Sequence, residues 1–96
     1  MTKEEYRNAV VAIRAKASEE MRQLAYKYVA ENRVYKNGEI ISDSYTTIKI
    51  TGVNIYIPAL TSNDAPMYSY KGIQLTKKLE PRKDGAIGYV FPERVK

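Results

Sequence analysis

The sequence predicts an α+β fold, one long N-terminal helix followed by a small β module, and three observations carry that expectation. A single apolar stripe runs at helical period over the first third of the chain. Gly and Pro are absent from positions 2 to 32. From position 33 onward the pattern changes to short alternating apolar runs punctuated by turn residues. Ninety-six residues suffice for one modest core, so the chain is expected to form a single domain over 1–96, with the helix at 2–32 and the β module at 33–96.

The helix begins at a capping box. Thr2 precedes Glu5 by three residues, a spacing at which hydroxyl and carboxylate each satisfy a backbone donor left free by the first turn. Tyr6, Val10, Ile13, Ala17, Met21, Leu24 and Tyr28 then form the stripe, and six alanines on and beside it supply helix propensity. Asn32 is expected to end the helix in the left-handed cap conformation. About thirty residues of helix extend roughly 45 Å, further than a domain of this size is wide, so one end should overhang. The C-terminal half of the stripe, Ala17 to Tyr28, is read as core against the sheet. For the N-terminal half, Tyr6, Val10 and Ile13, core and partner-binding surface stand as equal alternatives. The stripe spacing lies nearer 3.67 than 3.5, which disfavours a long left-handed coiled coil and leaves room for a short antiparallel or crossed contact between two copies.

The β module opens at Asn37-Gly38, a turn signal ahead of the short apolar run Ile40-Ile41. Asp43, Ser44 and Tyr45 make a polar turn, after which Thr46 to Ile57 alternates, with Ile48, Ile50, Val53, Ile55 and Ile57 as its apolar set. The step of three between Ile50 and Val53 places a bulge at Gly52. Pro58 ends the strand, and 61–66 is a polar loop. A strand from Met67 to Tyr70 reaches Lys71-Gly72, read as a tight turn or bulge, and continues through Ile73 to Thr76. Pro81 to Gly85 is turn chemistry, and a last strand, Ile87 to Phe91, stops at Pro92. Four or five short, bent strands suit an SH3-like partly open barrel or a strongly bent antiparallel sheet with the helix packed on it.

Composition removes whole classes of chemistry. The chain has neither cysteine nor histidine, so thiolate chemistry, disulfides, the common zinc sites and Ser-His or Cys-His nucleophile systems are excluded. The carboxylates Glu39, Asp43, Asp64 and Asp84 all fall in turns, where such groups serve as caps, and the five glycines are too dispersed to cradle a phosphate. No catalytic residue, metal site or cofactor is assigned, and the expectation is a protein that is not an enzyme. No apolar run approaches a membrane span and Met1 leads into a charged helix, so no membrane association and a cytoplasmic location are expected.

Charge divides unevenly. The net charge is +5, the helix is nearly neutral, and the β module carries the excess. Lys71, Lys77, Lys78, Arg82 and Lys83 cluster on an expected hairpin with Tyr70 beside them, a combination that could neutralise phosphates and stack on unpaired bases. Lysines that blunt a sheet edge would leave the same pattern. Nine tyrosines against one phenylalanine suit contact surfaces of either kind. The leading functional expectation is a non-catalytic protein–protein adaptor or small structural protein acting through the N-terminal helix on a protein partner or a second copy. The alternative is a nucleic-acid-binding module using the basic hairpin at 71–85.

A long charged helix followed by Tyr35 to Ile41, Ile48-Lys49-Ile50, Tyr70-Lys71-Gly72, Leu75-Thr76-Lys77 and Pro81 to Gly85 resembles small uncharacterised proteins of Bacteroidetes phages and related mobile elements. The resemblance covers most of the chain and implies a helix-plus-barrel architecture in a phage or mobile-element setting, with no activity attached. Gly38-Glu39 stands where such proteins often carry Gly-Asp.

Overall fold

The computed structural model describes residues 1–96. Helix α1 (Lys3–Asn32) is followed by strands β1 (Ile40–Ser42), β2 (Thr47–Tyr56), β3 (Met67–Gln74) and β4 (Ile87–Val90) and a 3-10 turn at Pro92–Arg94. The strands form one antiparallel meander in the order β1-β2-β3-β4, curled into a half-barrel. The molecule measures 66 × 27 × 19 Å, an elongation that comes from the helix running far past the sheet. Its radius of gyration of 18.5 Å compares with about 13 Å for a compact chain of this length.

Local chemistry accounts for both ends of α1. The capping box is formed: Glu5 N donates to Thr2 Oγ1 at 3.1 Å, and Thr2 N donates to a Glu5 carboxylate oxygen at 3.4 Å. The C-terminus departs from expectation. No residue turns left-handed there; Arg33 is extended at φ −67° and donates its N–H to Val29 O, while the Asn32 side-chain amide donates to Tyr28 O at 2.8 Å. The side chain thus satisfies a terminal carbonyl that a left-handed cap would otherwise cover.

The helix meets the sheet chiefly at β2, and with a different face from the expected one. Ala25 and Val29 are its buried residues, whereas Leu24 is 62% exposed and Tyr28 is also exposed. The expectation that the stripe from Ala17 to Tyr28 forms core is therefore corrected. Ala25 and Val29 lie about 80° to 120° around the helix from Ala17, so the stripe runs beside the sheet contact. Small Ala25 permits the close approach, and full burial of Val29 contributes about 1.5–3 kcal/mol.

The core proper belongs to the β module. Ile41, Ile48, Ile50, Tyr70 and Val90 form it, with Tyr35, Val53, Tyr68 and Val95 packed against it. The bulge in β2 falls where the sequence placed it: the register passes from Ile50 opposite Gly72 to Gly52 opposite Lys71, leaving Thr51 as the extra residue. That insertion shifts the inward phase from Ile48 and Ile50 to Val53 and Ile55.

Lys71-Gly72 is not a turn; β3 runs straight through it. Gly72 lies between Ile50 and Gly88, and a Cβ built there would stand 2.2 Å from Lys49 O. A Cβ on Gly88 would stand 2.9 Å from Ile48 Cγ2 on β2, a strand to which β4 is not hydrogen-bonded. Two adjacent glycines on the concave side thus let the sheet curl until β2 and β4 approach. No helix in the structure is long and apolar enough to cross a membrane.

Candidate functional site

Two surfaces stand out, one on the helix and one on the β3–β4 connection. Along the overhanging part of α1, Tyr6 and Ile13 are 63% and 67% exposed, with Val10 partly shielded between them. Nothing else in the chain covers this stretch, so the alternatives open for Tyr6, Val10 and Ile13 narrow to a surface the chain's own sheet leaves free. Further along, the stripe borders a groove of about 270 Å³ between α1 and the β2–β3 loop. Met21, Leu24 and Tyr28 line it from the helix, and Pro58, Asp64 and Pro66 line it from the loop.

Electrostatics on the helix is local and weak. Arg22 donates to Glu19 at 2.9 and 3.0 Å and sits 5.4 Å from the Tyr26 ring centroid. Hydrogen bonds from Arg22, then Gln23, hold the Glu19 carboxyl below its usual value, and the bond to Glu19 raises Arg22. Both side chains are half-exposed, where solvent screening leaves such pairs little weight. Lys16, Glu20 and Arg7 make no ion pair within the chain.

The basic cluster is split by the fold. A double turn carries most of it: Leu75 pairs with Pro81, Thr76 N donates to Glu80 O at 2.8 Å, and Gly85 N donates to Arg82 O at 3.0 Å. Gly85 has φ 66°, as its turn requires, and Leu79 takes φ 61° without being glycine. Lys77, Lys78 and Lys83 project freely here, whereas Arg82 is held by Gln74 Oε1 at 2.9 Å and Asp84 at 3.1 Å. Lys71 sits away from them within β3, exposed and opposite the half-exposed Tyr89 of β4.

Tyr70 leaves the candidate surface altogether. It is fully buried, and its hydroxyl accepts from Val34 N at 3.0 Å and Tyr35 N at 3.3 Å. Tyr35 and Tyr68 pack edge-on against its ring at centroid distances of 5.6 and 5.8 Å, and Arg33 lies 5.7 Å from its centroid. Alternation along the strand explains the correction: Tyr70 and Lys71 are neighbours in sequence but point to opposite faces. Burial, reinforced by Tyr70, pushes the Tyr68 phenol above its usual value.

The turn carboxylates act as structural acceptors. Asp43 accepts from Tyr45 N and Thr46 N at 2.8 and 2.7 Å, Asp84 from Ala86 N at 3.1 Å, and Glu39 from Lys36 N. Asp64 alone among the four accepts no hydrogen bond within the chain, and it lines the helix groove. No three acidic side chains come together in a way that could hold a metal ion. The groove could not be read from the sequence, because a polar loop with no period carries no signal for which helix face it will border. Comparison with known proteins gives no matching family model, no matching curated protein and no matching solved structure.

Proposed function

We propose that this chain is a non-catalytic protein-interaction module, an adaptor or small structural protein, that presents the stripe of α1 to a protein partner. One observation carries the reading: the helix continues far beyond the sheet with Tyr6 and Ile13 two-thirds exposed along one line. An amphipathic helix laid along another protein's apolar surface is a recurrent recognition mode, read through anchors at this spacing. The groove extends the same line toward the β module. A phage or mobile-element setting and a cytoplasmic location belong to this proposal through the resemblance of the sequence and its lack of cysteine.

A photo-crosslinking residue in place of Ile13, in cells expressing the full chain, tests it. Adducts to protein are expected; an Ile13 probe that yields none, at expression levels where a surface control is well labelled, overturns the reading.

The free Lys77, Lys78 and Lys83, with Lys71 beside Tyr89, favour a second reading as a nucleic-acid-binding module. It requires binding to single-stranded DNA, duplex DNA or structured RNA that falls steeply with salt and disappears when Lys77, Lys78, Arg82 and Lys83 are all changed to alanine. Binding no stronger than that of a charge-matched control protein rejects it.

A further inference from the structure

The steps along the stripe from Tyr6 to Tyr28 are four, three, four, four, three and four, a series that reads the same in both directions about Ala17. We infer that the partner of the helix is a second copy of this chain, docked antiparallel along the stripe with a two-fold axis at Ala17; the inference rests on the protein-interaction reading above.

A two-fold at Ala17 sets Ile13 level with Met21 of the second copy, Val10 level with Leu24, and Tyr6 level with Tyr28. Those three mates all line the groove, where Ala25 is the fourth residue from the helix. Each copy's overhanging N-terminal half therefore meets the other copy's groove, and the contact spans roughly 33 Å of helix. The smallest side chain of the stripe falls where the two axes cross, which lets them approach to about 8 Å. A period near 3.67 is close to that of an unstrained helix, so the two rods stay nearly straight while remaining in register.

Charge agrees with this register. Lys16 and Glu20 project from the same flank of the stripe, and the two-fold brings Lys16 of one copy within about 3 Å along the axis of the other copy's Glu20. Neither makes an ion pair in its own chain. On the opposite flank, Arg7 of the second copy rises on the side where the loop carries Asp64, whose carboxylate accepts no hydrogen bond. Parallel pairing would instead set Lys16 and Glu20 of the two copies on opposite sides of the seam, out of each other's reach, and leave each groove without the other copy's overhanging half.

Full-length single-cysteine variants test the register without interference, because the chain contains no cysteine. Under mild oxidation Ala17→Cys is expected to form a covalent dimer. Ile13→Cys alone is expected to form none, since its symmetry mate lies about 12 Å further along the axis, whereas Ile13→Cys mixed with Met21→Cys forms a mixed dimer. The unmodified protein is expected to scatter light as twice 11.0 kDa in the micromolar range.

Lys16→Glu turns two symmetry-related attractions into repulsions and is expected to weaken the dimer about tenfold; adding Glu20→Lys restores it. Disulfide formation by Ile13→Cys alone overturns the antiparallel register. An 11.0 kDa mass throughout, with no disulfide from Ala17→Cys, overturns self-pairing. If the Ile13 photoprobe still labels a different protein in that case, the protein-interaction reading survives; if it labels none, both fall.

Discussion

The two parts of this molecule are stable for different reasons. The β module holds its core residues, Ile41, Ile48, Ile50, Tyr70 and Val90, through long-range contacts, and its curl depends on backbone approach at Gly72. The first twenty residues of α1 touch almost nothing, and their order rests on the capping box, alanine content and local side-chain pairs. Isolated helices of that kind are marginal in water, since nucleation is costly and propensity is small per residue. The chain's own small core does not supply the contacts that would hold an exposed helix of this length.

Four substitutions test how far the two parts stand on their own. The largest effect is expected for Gly72→Ala, whose new Cβ meets Lys49 O with no flexible side chain to give way. A loss of about 3 kcal/mol or more in chemical denaturation is expected, and an unchanged midpoint would mean the curl is not backbone-limited. Tyr70→Phe comes next. It leaves the Val34 and Tyr35 amides without their acceptor and should cost about 1–3 kcal/mol, measured in the same way.

Thr2→Ala removes one half of the capping box and should cost the helix about 1 kcal/mol. Its signature is faster amide exchange over roughly the first two turns, with the unfolding midpoint of the β module unmoved. A matching shift in that midpoint would show that the two regions are coupled.

The smallest effect concerns Tyr68. Its phenol is raised in the folded chain by burial and by Tyr70, so the folded state holds this proton to higher pH than the unfolded state does. The contribution to stability is complete below the ordinary phenol value of about 10 and is lost as the pH rises from there through the raised value. Tyr68→Phe should move the alkaline loss of β structure, followed by circular dichroism, to higher pH.

Local features were legible from the residues alone: the capping box at Thr2 and Glu5, the helix without Gly or Pro, the bulge at Gly52, the turns at Gly38 and Gly85, and the α+β class. Each depends on interactions within a few residues, where residue type dictates the answer. The tertiary structure decided the rest. Whether Leu24 or Ala25 would face the sheet depended on where β2 offered a surface, since both lie on apolar positions of one helix. Whether Gly72 made a turn or a close backbone crossing depended on how far β2 and β4 curled together. Tyr70 looked like a surface aromatic beside lysines until the backbone after the helix came down onto its hydroxyl. In all three cases the contact joins residues distant in the chain, so no local period could announce it.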